Sequence, residues 1–173
     1  ALQGTVTYNN SSNTPISGAT INLLDNTGEV VDATTTDASG AYQFATVDGT
    51  VETIEISTDA NWAGVNATDA LGIQHRTLGN WGVIGSWWTP EVFVDDVADV
   101  NNSGVINSTD ALFVMRRAIQ LEDSFTAGDW SFYDNTNGAP FSSTSDNSAE
   151  LDYTGGTLDI KAMAYGDVNA SYS

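Results

Sequence analysis

The first third of the chain alternates hydrophobic and polar residues with the two-residue period of β-strands. Turn signals such as DNTG, DASG and DGT separate stretches that are rich in β-branched and aromatic residues. These stretches are GTVTY, ATINLLD, EVVDATTT, AYQFATV and VETIEIS. Five or six short strands at this spacing predict a small antiparallel sandwich over residues 1–57.

From residue 58 onward the period changes and an internal repeat appears. Residues 64–79 (GVNATDALGIQHRTLG) align with residues 104–120 (GVINSTDALFVMRRAIQ) through a shared TDAL segment. In each copy a Thr-Asp pair precedes apolar residues at helical spacing, which predicts a short helix with a favourable charge in its first turn. Two loop–helix units are therefore expected, and a β-like, Gly-rich stretch follows them.

The segment before the second predicted helix, DVNNSGVINSTD, has the spacing of a calcium-chelating loop. Oxygen donors occupy loop positions 1, 3, 5, 7 (through a carbonyl), 9 and 12: Asp99, Asn101, Ser103, Val105, Asn107 and Asp110. Gly104 at position 6 permits the sharp turn. Hard oxygen donors, no Cys and a single His favour Ca²⁺ over a transition metal. The alternative is an Asx-rich turn that only caps the helix.

Two further segments reproduce parts of the same pattern. The first repeat offers Asp59, Asn61, Val65 and Asp69, but its loop is one residue short and Ala63 has no side-chain oxygen. The C-terminal tail offers positions 1, 3 and 5 as Asp167, Asn169 and Ser171, and nothing follows to supply position 12. A site there needs donors from elsewhere in space, with Asp129 or Asp159 as candidates. The sequence thus predicts one to three Ca²⁺ ions. The alternatives are that the first loop is a decayed repeat without a metal and that the C-terminal motif is only a polar turn.

The repeated loop–helix with Asp at position 12 resembles dockerins, the Ca²⁺-dependent modules that bind cohesins. The segments GVNATDAL, GDW and GDVNASY further resemble dockerin-like tails of secreted Bacteroidetes-type proteins. The resemblance implies a protein partner, cohesin-like or a second copy, and contacts from loop positions 10 and 11 and a basic pair on each helix. Those positions here are Ser108, Thr109, Arg116, Arg117, Thr68, His75 and Arg76. Cations that only complement the helix dipoles are the alternative.

The N-terminal pattern PISGATINLLD followed by TTTDASGAYQF resembles the carboxypeptidase regulatory-like and collagen-adhesin B-type families, which share a transthyretin-like fold. The expected fold is therefore α+β, mostly β: a transthyretin-like sandwich over 1–57, then a dockerin-like pair of Ca-loop–helix units over 58–173. Within the second domain we expect inserts at 79–98 and 121–165.

Charge and composition reduce the number of functions that the chain could have. The chain has 23 acidic residues and four Lys or Arg, which gives a net charge of −19. Binding to nucleic acid needs clustered cations, so this charge excludes nucleic acid as a partner. No apolar run is long enough to insert into a membrane. With no Cys, one His and no nucleophile elbow, we expect no enzyme.

Three functions remain. We favour a non-catalytic, extracellular module of a bacterial cell surface for calcium-dependent protein attachment or assembly. The first alternative is a calcium-rigidified structural subunit of a stalk, adhesin or fibre. The second is carbohydrate binding through aromatic residues that could instead belong to a core or junction: Trp62, Trp81, Trp87, Trp88, Phe93 and Trp130.

Overall fold

The computed structural model describes residues 1–79 and 91–173. Strands of the N-terminal part are β1 (Leu2–Tyr8), β2 (Thr20–Asp25), β3 (Val30–Thr35), β4 (Ala41–Phe44) and β5 (Val51–Ser57). The helices are α1 (Ala67–Thr77), α2 (Glu91–Ala98) and α3 (Ser108–Ala118). The later strands are β6 (Trp130–Asp134), β7 (Ala139–Pro140), β8 (Ser142–Ser145), β9 (Ser148–Asp152), β10 (Gly156–Thr157) and β11 (Ile160–Ala164).

The described strands form two sheets. One has the order β10-β1-β11-β6-β7, with β4 also paired to β1, and the other has the order β3-β2-β5-β9-β8. Together with the helices they confirm an α+β fold that is mostly β. Helices α1 and α3 lie where the repeat predicts them.

The chain divides into two compact units, and the division differs from the predicted boundary after residue 57. The sandwich unit comprises 1–8, 13–61 and 132–162, and the helical unit comprises 9–12, 62–131 and 163–173. Most of the predicted insert 121–165 therefore belongs with the N-terminal strands. The physical reason is strand pairing: β9 continues the sheet beside β5, whereas β10 and β11 run parallel to β1.

The core of the sandwich unit lies on the inward faces of both sheets. Its fully buried side chains include Leu2, Val6, Tyr8, Ile21, Leu23, Ile54, Ile56 and Ile160. Burying an aliphatic or aromatic side chain contributes about 1.5–3 kcal/mol, so these positions hold the unit together. A Cβ at Gly4 would lie 1.8 Å from the Leu158 carbonyl oxygen, so only glycine allows β1 to approach that backbone.

The helical unit packs around the facing sides of its helices. Helix α1 contacts α3, and the buried residues of this unit include Ile73, Phe93, Val97, Val114, Phe125 and Trp130. Among the aromatic candidates, Phe93 and Trp130 are thus core residues. Trp81, Trp87 and Trp88 lie outside the described residues, as does most of the predicted insert 79–98. Its last residues form α2.

Candidate metal loops and helix surface

The loop Asp99–Asp110 brings its first and last carboxylates to its own interior. Asp99 accepts the backbone N–H groups of Ser103 (Oδ1, 2.9 Å) and Gly104 (Oδ2, 2.7 Å). Asp110 accepts those of Asn101 (Oδ1, 3.3 Å) and Asn107 (Oδ2, 2.9 Å). Gly104 has φ +80°, the left-handed conformation expected at position 6.

The remaining predicted donors of this loop also occupy ordered places. The Asn101 Oδ1 accepts the Ser103 N–H at 3.0 Å, and the Ser103 hydroxyl donates to the Val105 carbonyl at 3.1 Å. Asn107 is the N-cap of α3 and accepts the Thr109 N–H at 2.8 Å. Asp110, in the first turn of α3, is fully buried, and this burial raises its pKa. All six predicted donors thus take part in hydrogen bonds within this segment.

The first predicted loop is assembled differently. Asp59 and Asn61 belong to the sandwich unit, where Asp59 Oδ1 accepts from Asn147 Nδ2 at 3.4 Å. Val65 and Asp69 belong to the helical unit.

The C-terminal residues 167–172 make hydrogen bonds to the segment that leads into α1. The Asn169 N–H donates to Asp69 Oδ1 at 3.1 Å, and the Ser171 hydroxyl donates to the Gly64 carbonyl at 2.6 Å. Asp167 accepts the N–H groups of Ser171 (Oδ1, 3.0 Å) and Tyr172 (Oδ2, 3.1 Å). We call these residues, 64–69 and 167–172, the split loop. The candidate donors Asp129 and Asp159 have other hydrogen-bond partners, Arg117 and Thr5.

The electrostatics of the split loop are dominated by two buried carboxylates. Asp69 and Asp167 are each 0% exposed. Burial, together with the charge of Asp167, raises the pKa of Asp69 to about 7. In the part of the chain that the structure describes, no three His, Cys, Asp or Glu side chains cluster to hold a metal. Each loop offers two carboxylates, and its other oxygens come from amide, hydroxyl and carbonyl groups.

The predicted partner residues differ widely in accessibility. Thr68, Ser108 and Thr109 are exposed, and His75 is half-buried. Arg117 is the main correction to the predicted partner surface, because it is only 7% exposed. Its guanidinium lies 3.7 Å from the ring centroid of Trp62 and 4.6 Å from that of Phe125.

Internal carboxylates pair with the three arginines of the helices. Arg117 Nη2 lies 2.6 Å from Asp129 Oδ1. Arg76 binds Asp95 in a bidentate manner, with Nε–Oδ1 at 2.9 Å and Nη2–Oδ2 at 2.7 Å. Arg116 pairs with Glu122 at 2.8 Å. The three arginines that the sequence places on a contact surface therefore make ion pairs within the helical unit.

An apolar surface remains between α1 and α3, which we call the helix-pair face. Leu71 is 44% exposed and Leu112 is 54% exposed, and they are equivalent residues of the two TDAL segments. A groove of about 300 Å³ lies between them. Its lining residues are Ala67, Ala70, Leu71, Gln74, Ser108, Ala111, Leu112 and Met115. Contiguous exposed apolar surface is one feature of protein-binding sites.

Comparisons with known proteins bear on the N-terminal part. Residues 1–66 match the family model of the carboxypeptidase regulatory-like domain. The chain is also 34% identical over 103 residues to a bone sialoprotein-binding protein of Staphylococcus aureus (strain MRSA252). A serine-aspartate repeat-containing protein E of the strain MSSA476 matches to the same extent. The aligned region is 52% of this chain and 9% of either relative's length.

These matches confirm the resemblance predicted for the N-terminal sandwich. The family match ends at residue 66, before α1, so the dockerin resemblance stays a prediction. No solved structure shows a significant match to the chain. Of the helices described, none combines the length and the apolar character that crossing a membrane requires.

Proposed function

We propose that this chain is a non-catalytic module of a bacterial cell surface that binds Ca²⁺ and attaches to a protein partner. The observation that carries the calcium proposal is the Asp99–Asp110 loop. The carboxylates of both ends face the same loop interior, with amide, hydroxyl and carbonyl oxygens between them. This donor set suits a hard cation with oxygen ligands. The relatives support an extracellular location, since one is named for binding bone sialoprotein.

Bound Ca²⁺ would stabilise the folded state of this loop. Metal binding to clustered carboxylates is coupled to folding, because without the ion the like charges repel one another. Asp99, Asn101, Ser103, Val105, Asn107 and Asp110 would hold the ion in this loop. Asp110 also belongs to the first turn of α3, so a bound ion would fix the start of the helix that carries Leu112.

The calcium proposal is tested by thermal unfolding and native mass spectrometry, each with Ca²⁺ and with EGTA. We expect Ca²⁺ to be retained by the folded chain and to raise the melting temperature. Asp99→Asn should reduce the retained calcium, whereas the control Asp32→Asn, at an exposed position of β3, should not. A wild-type chain that retains no Ca²⁺ and melts identically in EGTA would refute the proposal.

The helix-pair face is the surface that supports attachment. Since Arg76, Arg116 and Arg117 all pair with carboxylates of the helical unit, we place the contact on Leu71 and Leu112 and the exposed Thr68, Ser108 and Thr109 beside them. Leu71→Asp with Leu112→Asp should abolish binding to a purified cohesin-type module, or self-association, at unchanged melting temperature. Val30→Asp, which changes an exposed apolar residue of β3, is the matched control.

The internal ion pairs favour a second candidate, a calcium-rigidified structural subunit. Ion pairs that close within the helical unit stiffen it and engage Arg76, Arg116 and Arg117 internally. This candidate predicts that the double leucine variant assembles and melts like the wild type, and that size-exclusion chromatography with light scattering shows no complex with the cohesin-type module. The carbohydrate alternative gains no support from Trp130, which is in the core, or from Trp62, which stacks on Arg117.

A further inference from the structure

The split loop repeats the hydrogen-bond pattern of the Asp99–Asp110 loop with a break in the chain. Asp167 corresponds to Asp99: each accepts the N–H of the residue four positions later (3.0 and 2.9 Å) with Oδ1 and that of the residue five positions later (3.1 and 2.7 Å) with Oδ2. Asn169 corresponds to Asn101, and each donates its N–H to the carboxylate of position 12, at 3.1 and 3.3 Å.

The second half of the pattern comes from the segment before α1. Ser171 donates to the carbonyl of Gly64 at 2.6 Å, as Ser103 donates to that of Val105 at 3.1 Å. The Asn66 N–H donates to Asp69 Oδ2 at 2.8 Å, as the Asn107 N–H donates to Asp110 Oδ2 at 2.9 Å. The position-7 carbonyl is therefore that of Gly64, one residue before the predicted Val65.

Two backbone features show that the tail is shaped for this place. Ala170 has φ +55°, and its counterpart Asn102 has φ +54°, although an alanine rarely adopts this left-handed conformation. A Cβ on Gly64 would lie 2.6 Å from Asp167 Oδ2 and 2.9 Å from the Tyr172 N atom. Because Gly64 has no Cβ, the Asp167 carboxylate fits beside it. The backbone of Tyr172 lies nearly as close, so a larger residue at position 64 would collide with backbone as well as with a side chain.

The donor chemistry of the split loop suits the same ion as the uninterrupted loop. Two carboxylates (Asp69 and Asp167), the Asn169 amide, the Ser171 hydroxyl and the Gly64 carbonyl are all hard oxygen donors. Both carboxylates are fully buried, and a divalent cation between them would neutralise the two charges together.

We propose that Ca²⁺ closes the split loop and thereby clasps the C-terminal tail, 167–172, to the start of α1. This inference rests on the proposed calcium function and adds a second, discontinuous site to it. Because the two halves of the site are about a hundred residues apart in the chain, as the separation of Asn169 and Asp69 shows, the ion ties together segments that no local turn connects. Calcium depletion would then release the tail and disturb the N-terminus of α1.

The test counts bound Ca²⁺ by native mass spectrometry and follows the peptide 166–173 by hydrogen–deuterium exchange, in Ca²⁺ and in EGTA. We expect the wild type to retain two ions and to protect the tail amides only in Ca²⁺. Asp99→Asn should lose one ion and keep the protected tail. Asp167→Asn should also lose one ion, but with the tail exchanging freely.

A second variant tests the site without removing a ligand. Gly64→Ala keeps every donor but fills the space that Asp167 occupies, so it should lose one ion and the tail protection. Gly28→Ala is the matched control, since Gly28 has a similar φ of +83° and nothing within 4 Å of the added Cβ. It should retain both ions.

The outcomes separate the two proposals. If the wild type retains one ion and Asp99→Asn retains none, the clasp is refuted while the Asp99–Asp110 site stands. Equal tail exchange in Ca²⁺ and EGTA also refutes the clasp. If the wild type retains no ion at all, the calcium function itself fails, and the clasp fails with it.

Discussion

Replacing Arg117 should destabilise the helical unit far more than replacing its neighbour Arg116. Both arginines were predicted on one contact surface, but Arg117 is 7% exposed, and its guanidinium lies 3.7 Å from the ring centroid of Trp62 and 4.6 Å from that of Phe125. Its ion pair with Asp129 measures 2.6 Å. Arg117→Met keeps most of the volume of the side chain while removing the charge and the planar stacking group.

The expected magnitude follows from these contacts. A desolvated cation–π contact contributes about 2 kcal/mol, and breaking a buried ion pair costs about 3–5 kcal/mol. The Asp129 side chain is 35% exposed, so water can solvate it once the arginine is gone. Among the described residues Arg117 Nη1 has no hydrogen-bond partner, which also weakens the native arrangement. We therefore expect a loss at the lower end of the ion-pair range, about 3 kcal/mol.

Arg116→Met is the matched control on the same helix. Its pair with Glu122 is solvent-exposed, with side-chain exposures of 43% and 33%, and such pairs contribute about 0–1 kcal/mol. Urea denaturation in the presence of Ca²⁺, followed by tryptophan fluorescence, measures both variants. Equal free energies of unfolding for the two variants would refute the distinction between a buried and a surface arginine.

Three further predictions concern single local features. Gly4→Ala should unfold the sandwich or markedly lower its melting temperature, because the new Cβ would collide with the Leu158 carbonyl; an unchanged thermal melt would contradict this packing. Asn107→Ala removes the N-cap of α3 and should cost about 1 kcal/mol in denaturation, with helix loss visible by far-UV circular dichroism; no change would show that the cap is dispensable. The hydroxyl of Ser39 and backbone N–H groups donate to Asp37 and lower the pKa of its carboxyl below 3.8. The ionised Asp37 therefore stabilises the folded state above that pH, and this contribution is lost as the pH falls through the lower pKa of the folded state. Asp37→Asn should therefore be less stable than the wild type at neutral pH, and the gap in free energy should close in acid; a gap that persists at low pH would argue against the titration.

Local sequence patterns predicted most of the helices and strands, but they did not predict which distant strands pair with one another. The strands of the first third follow from alternation, and α1 and α3 follow from the repeated TDAL segment with its Thr-Asp pair. The pairing of β9 with β5 joins residues 91 to 99 positions apart, and that of β11 with β1 joins residues 154 positions apart. Nothing in a short stretch such as SAELD or IKAMA specifies which distant strand it will join, because any edge with a matching face could accept it.

The split loop shows the same limit at the candidate site. Two partial motifs are visible in the sequence: the first loop lacks an oxygen at Ala63, and Asp167, Asn169 and Ser171 match positions 1, 3 and 5. The structure shows that they are complementary, since the tail supplies the first half of one loop and the segment ending at Asp69 supplies the second. The split loop could have been predicted by pairing the motif at Asp167, Asn169 and Ser171 with the incomplete loop that ends at Asp69. The burial of Arg117 had no such signal, because a basic pair in a last helical turn looks the same whether it faces solvent or a tryptophan.

The position of β9, β10 and β11 has a practical consequence for anyone who expresses this protein in pieces. A fragment cut at residue 66, where the family match ends, would keep β1 and β5 but lose the strands that cover their free edges. Bare strand edges recruit strands from other molecules, so such a fragment should precipitate or form mixed oligomers. A soluble sandwich needs residues 132–162 supplied with it, either through the intact polypeptide or as a separately added complementing chain.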